Sequence, residues 1–338
     1  MSRHVLPVTF AIPFVVASGF STWGGEPAVR DIVPAGAKLE QLWNDGEFTE
    51  GPAAGPDGAI YFSDITRDET PGRVLKFDPR TARTTVHCAD SGKSNGLMFD
   101  RRGRLIAACG ANHGRQALCE ITPDGKVKAL VGTFMGRKFN APNDLTIHPD
   151  GSIYFSDPRY VGPEPMEIDH MSVYRYDPDG GRVTRVTTDI EKPNGLGLSP
   201  GGRTLYVAET NNGTTGIQPG QAAKPGRMTL NAFPLQPDGT LGRKRVLVDF
   251  GDQTGIDGMA VDTDGRIFAA VRSASRFGIV AFSPDGRELA YLATPELPTN
   301  CCFGRGEDAQ TLYVTAGTGL YRIRLNATGF HPATAPAG

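Results

Sequence analysis

Six oxygen-bearing side chains recur at one fixed place in this chain: Glu50, Asn95, Asn143, Asn194, Asp257 and Asn300. Each lies eight positions before the same point of a repeated turn, at Gly58, Gly103, Gly151, Gly202, Gly265 and Asp308. The turn segments read GPDGAIYFSD, DRRGRLIAAC, HPDGSIYFSD, SPGGRTLYVA, DTDGRIFAAV and GEDAQTLYVT. Two of the six side chains are carboxylates and four are amides. If the copies close into a ring these oxygens converge, and hard oxygen donors of that kind suit a cation such as calcium.

The elements that would carry them are strands. Each turn is followed by a short run of β-branched and aromatic residues, the pattern of a half-buried strand. A third run recurs six times: GRVLKFDP, ALCEITPDG, SVYRYDPDG, MTLNAFPLQPDG, GIVAFSPDG and GLYRIRLNATG. The turn points lie 43 to 63 residues apart, long enough for a four-stranded unit, so the repeat predicts an all-β six-bladed β-propeller. The last unit stops after its third strand, near Leu325. Leu39–Trp43 is strand-like and precedes Glu50, so an N-terminal strand is expected to complete the last blade and remove its open edge. The longest insertions, 158–171 and 210–227, join second to third strands. In an up-and-down blade they lie over the end bearing Glu50 and the asparagines, where recognition usually resides.

Around this core, residues 1–27 read as a signal peptide and leader, 28–36 as a flexible linker, 37–326 as the propeller and 327–338 as a disordered tail. Arg3 and His4 precede an apolar stretch from Val5 to Val16, followed by Ala17, Ser18 and Gly19. That layout predicts export to the periplasm or medium, with no membrane segment after leader removal. A formal net charge of -2 without any Lys/Arg block argues against nucleic acid. The expected assembly is a monomer or weak oligomer. The five cysteines form no CxxC motif and read as small buried hydrophobes, with Cys88, Cys109 and Cys119 also open to pairing if the chain is exported. No HExxH or P-loop occurs. Asp57, Asp150 and Asp285 are explained by turn chemistry. The Ser63–Asp64 and Ser156–Asp157 pairs end second strands, where capping accounts for them, although Asp157 could reach the mouth.

The segments FTEGPAAGPDGAIYFSD, NAPNDLTIHPDGSIYFSDP, EKPNGLGLSPGGRTLYVAET, GIDGMAVDTDGRIFAAV and TNCCFGRGEDAQTLYVTAG resemble the regucalcin/gluconolactonase (SGL) family, which also includes diisopropylfluorophosphatase. The resemblance spans about residues 37–325 and is closest to the bacterial gluconolactonases. It implies a propeller with one divalent cation, usually Ca²⁺ with Zn²⁺, Mg²⁺ or Mn²⁺ as alternatives, at the top of the central channel. It implies Glu50, Asn143, Asn194 and Asp257 as metal ligands and Asp257 as the catalytic base or nucleophile. Substrate contacts are expected from Asn95, Asn143 and Asn300, with His113 and His170 as upper-loop proton carriers. The arginine that animal regucalcins carry two residues before the PND asparagine is replaced by Ala141, so their sugar contacts do not transfer.

Three functions stay open at this level. The first is a metal-dependent lactonase that opens a small sugar lactone to its hydroxy acid. The second is an organophosphate or other ester hydrolase on the same calcium site. The third is a non-catalytic ligand-binding propeller with a structural metal. Asp144, directly after Asn143, could bond blade backbone or support the ligand shell.

Overall fold

The computed structural model of this protein describes residues 32–334. Six antiparallel sheets of four strands are arranged as blades, plus a two-stranded hairpin at Thr133–Phe134 and Arg137–Lys138. The innermost strands of blades 1 to 6 are Thr49–Ala54, Ser94–Phe99, Leu145–Ile147, Pro193–Leu198, Ile256–Val261 and Pro298–Phe303. Each packs beside the innermost strand of the next blade, and the strand of blade 6 meets that of blade 1, which closes the ring. Glu40–Trp43 pairs with Gly319–Arg324 as the outermost strand of blade 6, so the N-terminal strand closes the propeller.

Turn chemistry explains the regular spacing. Gly58, Gly103, Gly151, Gly202 and Gly265 all have φ between 71° and 95°, a conformation that favours glycine. Asp57, Asp100, Asp150 and Asp262 each accept a backbone N–H two residues ahead, which fixes the hairpin. Between blades, the faces are filled by second- and third-strand residues such as Phe155, Tyr174 and Phe268, joined by Phe303 of an inner strand. Cys88, Cys109, Cys119 and Cys301 are buried among them, and all five cysteines are free thiols.

Both ends of the described chain depart from expectation. Ile32, placed in the linker by the sequence, is buried in the core between blades 5 and 6, and its carbonyl accepts from Asn326 N at 2.9 Å. Residues 327–334, expected to be disordered, fold back under the ring. Ala327, Pro332 and Ala333 are buried, Phe330 N donates to Val261 O at 3.0 Å and His331 Nε2 lies 2.9 Å from Gly304 O. Apolar residues within the polar ATGFHPAT segment, 327–334, have channel surface to cover, and this outweighs its loop-like composition. The leader and the export reading, together with residues 335–338, lie outside the described residues.

Candidate active site

The ring of recurring side chains is set by strand register. Glu50, Asn95, Asn143, Asn194 and Asp257 each lie four positions before the last residue of their inner strand. The pairing with the second strand shifts register at Glu50/Ala53, Ser94/Leu97, Pro193/Leu196 and Ile256/Met259. Such bulges re-aim side chains in four of the blades, and all five side chains line one cavity of about 510 Å³ at the upper end of the channel.

Asn300 does not join them. The turn of blade 6 contains a short 3-10 helix, Gly306–Asp308, and seven residues (304–310) separate its first two strands, where the other blades have five. The turn-based count therefore slips by one residue. The structural equivalent of Glu50 is Thr299, whose Oγ1 donates to Thr49 O at 2.7 Å and ties blade 6 to blade 1. Asn300 belongs to the next level down, with Gly51, Gly96, Asp144, Gly195 and Gly258. A Cβ on Gly258 would sit 2.0 Å from the Asn300 side chain, and one on Gly96 would sit 2.4 Å from Asp144 Oδ1. Gly96 and Gly258 thus make room for two polar side chains, while Gly51 and Gly195 admit the neighbouring strand's backbone. Asp144 accepts Leu145 N at 2.8 Å, Leu196 N at 3.1 Å and a bond from Asn300. These residues form a collar that floors the cavity.

Above the collar the charges are concentrated. Burial and then the nearby Asp257 push the Glu50 carboxyl well above its usual range, against a hydrogen bond from Gly51 N at 2.8 Å. Burial raises Asp257 too, opposed by the Arg272 guanidinium 3.1 Å away and by Asn194. Burial also brings Asp144 up to about 7. Glu50 and Asp257 thus share a desolvated space in which mutual repulsion disfavours ionisation. The Asn143 side chain makes no hydrogen bond among the described residues and lines the same cavity. Among those residues no cluster of three or more His, Cys, Asp or Glu side chains is arranged to hold a metal. An ion here would rest on two carboxylates and on amide oxygens, a donor set that fits a hard cation.

The histidines lie elsewhere. His113 Nε2 is 3.8 Å from Glu69 on the surface, and its backbone N–H donates to Glu164 Oε1 at 2.6 Å. His170 Nδ1 engages Met171 O. Neither lines the cavity; insertion 158–171 bridges to the loops of blades 2 and 4 and sends Tyr160, not His170, to the cavity wall. Arg159 anchors it, buried and donating twice to Asn140 O at 3.1 and 2.7 Å. Asp157 accepts Asn140 N and Ala141 N at 2.9 and 2.8 Å, so it braces the approach to Asn143.

Several wall residues escaped the sequence reading. Arg272 follows the second strand of blade 5, donates to Pro298 O at 3.0 Å and lies over the Phe48 ring. Tyr160 comes from the 158–171 insertion, and its hydroxyl meets Asn194. Lys93 reaches Thr66 O and Asp68 O, both at 2.7 Å. The available signal was position: Arg272 sits just past a second strand, on the rim where the Ser-Asp pairs drew notice.

Residues 48–318 match the family of the SMP-30/Gluconolactonase/LRE-like region. A gluconolactonase of Zymomonas mobilis is 28% identical over 327 residues, covering 90% of this chain and 85% of its own. The 6-deoxy-6-sulfogluconolactonase of Pseudomonas putida is 31% identical over 262 residues, covering 76% and 78%. Among solved structures, a gluconolactonase of Xanthomonas campestris superposes with a TM-score of 0.75 at 30% identity, covering 89% of this chain and 93% of that one. The match spans all six blades, and the chain belongs to the SMP-30/gluconolactonase/LRE-like family.

Proposed function

We propose that this protein hydrolyses a sugar lactone to its hydroxy acid with the help of one divalent cation, Ca²⁺ by donor chemistry. The observation that carries this is the convergence of Glu50, Asp257, Asn143 and Asn194 in one cavity, in a family whose relatives are named gluconolactonases. Glu50, Asn143, Asn194 and Asp257 would hold the ion. When bound, a cation of this kind polarises a carbonyl and stabilises the charge that develops on its oxygen.

The chain's own groups supply the rest. Asp257, oriented by Arg272, takes a proton from water as the water oxygen bonds to the carbonyl carbon. The ring C–O bond then breaks, and the ring oxygen leaves as a hydroxyl by taking back the proton held on Asp257. Asn95 lines the wall without belonging to the ligand set and contacts the sugar hydroxyls. The collar beneath excludes bulk water from the floor, which strengthens each electrostatic interaction above it. The leader fits an exported enzyme.

The test is a pH-stat assay of glucono-lactone with and without a chelator. Hydrolysis above the spontaneous rate that falls on chelation and returns with Ca²⁺ is expected. Turnover unaffected by exhaustive chelation removes the metal, and no turnover of any sugar lactone removes the lactonase.

A further inference from the structure

The orientation of a carboxamide is a chemical choice, since one edge donates and the other accepts. Asn194 is a ligand candidate only if its oxygen faces the cation. Its Nδ2 lies 3.1 Å from Tyr160 Oη. Tyr160 Oη in turn lies 3.1 Å from Thr210 O. A phenol carries one proton, and the Thr210 carbonyl can only accept. The hydroxyl must therefore donate to Thr210 and accept from Asn194, which places the NH₂ edge of Asn194 at Tyr160. The second N–H of that edge serves Asp257. Oδ1 is left as the uncommitted oxygen.

We propose that Tyr160 is a positioning residue: its hydroxyl fixes which edge of the Asn194 carboxamide is available to a cation. The inference rests on the reading of Asn194 as a ligand. Tyr160 is itself held from three directions. The neighbouring Arg159 is buried on Asn140 O. Lys192 Nζ sits 5.1 Å from the Tyr160 ring centroid and 3.1 Å from Thr215 O. Thr215 Oγ1 reaches back to Tyr160 O at 3.5 Å. The 158–171 and 210–227 insertions thus meet at one phenol that touches the site. A supporting group whose rotamer is locked by packing and hydrogen bonds can hold a ligand in the productive geometry.

The experiment is a double-mutant cycle on the full chain, reading Ca²⁺ affinity by calorimetry for wild type, Tyr160→Phe, Asn194→Asp and the double variant. Phenylalanine keeps the ring and removes only the hydroxyl. Tyr160→Phe is expected to weaken Ca²⁺ roughly threefold to tenfold, the scale of one lost hydrogen bond, with melting in chelator unchanged. In the Asn194→Asp background both outer atoms are oxygens, so there is no edge to choose. Tyr160→Phe should then leave affinity unchanged or tighten it, because the committed hydroxyl would face an oxygen it cannot serve. Equal weakening in both backgrounds, or none in either, overturns the proposal. Failure of wild type to bind any divalent cation overturns the ligand reading itself, and the wild-type titration alone reports that.

Discussion

The upper and lower halves of the central channel are built from the same six strands yet share almost no chemistry. The upper half is a cavity of about 510 Å³ lined by Glu50, Asp257, Asn95, Asn143 and Asn194 together with Arg272 and Lys93. The lower half is a cavity of about 80 Å³ lined by Leu97, Leu145, Leu196, Met259 and Val261 and stopped by Phe330 and Pro332. One residue of register separates them at the Gly51, Gly96, Asp144, Gly195, Gly258 and Asn300 collar. The comparison teaches that a propeller's reactive end is made by bulges and loops that break the regular ladder. Where the ladder continues undisturbed, the same strands make ordinary core.

The largest effect should come from taking the proposed base out of the upper half. Asp257→Asn keeps the shape and one liganding oxygen but cannot accept the proton. Lactone hydrolysis at saturating Ca²⁺ should fall on the order of a hundredfold to ten-thousandfold. A rate near wild type would move the base to Glu50, the other carboxylate that lines the cavity, since neither the two histidines nor Asp144 does.

Removing the proposed cation should affect stability next. Glu50 and Asp257 are both raised by burial, so the cation must displace protons from them and its affinity should increase with pH. Binding to the native state alone stabilises by mass action, about 2.7 kcal/mol at a hundredfold excess over Kd. The melting midpoint in chelator should lie well below that in Ca²⁺. Calorimetry in buffers of different ionisation enthalpy should detect proton release.

A smaller pair of effects separates cavity from collar. Asn95→Ala should raise KM for the lactone with little change in melting. Asn300→Ala removes a partner of Asp144 and of Cys301 N, which donates to Asn300 Oδ1 at 2.8 Å. It should cost about 1–3 kcal/mol of stability and leave KM within about twofold, a modest change on the tenfold-per-1.4 kcal/mol scale. The reverse assignment of these two phenotypes would contradict the one-residue slip in blade 6.

The blades, their order, their closure and five of the six recurring side chains were legible because turn glycines and alternating strands repeat locally. Asn300 was misplaced because the count ran from the turn, and the turn of blade 6 contains two extra residues that a sequence count absorbs silently. Tyr160 and Arg272 were invisible for a different reason. They enter the site from loop and strand ends whose direction depends on long-range partners such as Thr210 and Pro298. The packed 327–334 segment was read as frayed because its composition is that of a loop, while its burial depends on channel surface supplied by distant blades.

The subtlest expected effect belongs to the lower half. Burial, then the nearby Arg305 charge, bring the His331 imidazole down to about 4 from its ordinary 6.5, against the favourable contact with Gly304 O. The folded state therefore keeps His331 neutral. Above about pH 6.5 neither state carries the proton and its contribution to stability is complete. As pH falls, the unfolded chain takes up a proton that the folded chain refuses, and the contribution is lost progressively toward about pH 4. Asp157, raised by burial to about 7, works in the opposite sense over much of this window, so the difference between two proteins carries the test. His331→Gln has no titrating group and keeps a donor able to reach Gly304 O. Measured in chelator to silence the upper site, wild type should melt above the variant near pH 7.5, and that advantage should shrink as the pH is lowered to 4.5. Lactone turnover at pH 7.5 should be the same for both, because the collar stands between His331 and the reacting atoms. A melting difference independent of pH would mean that His331 contributes by packing alone, and a loss of turnover would mean that the two halves of the channel are coupled across the collar.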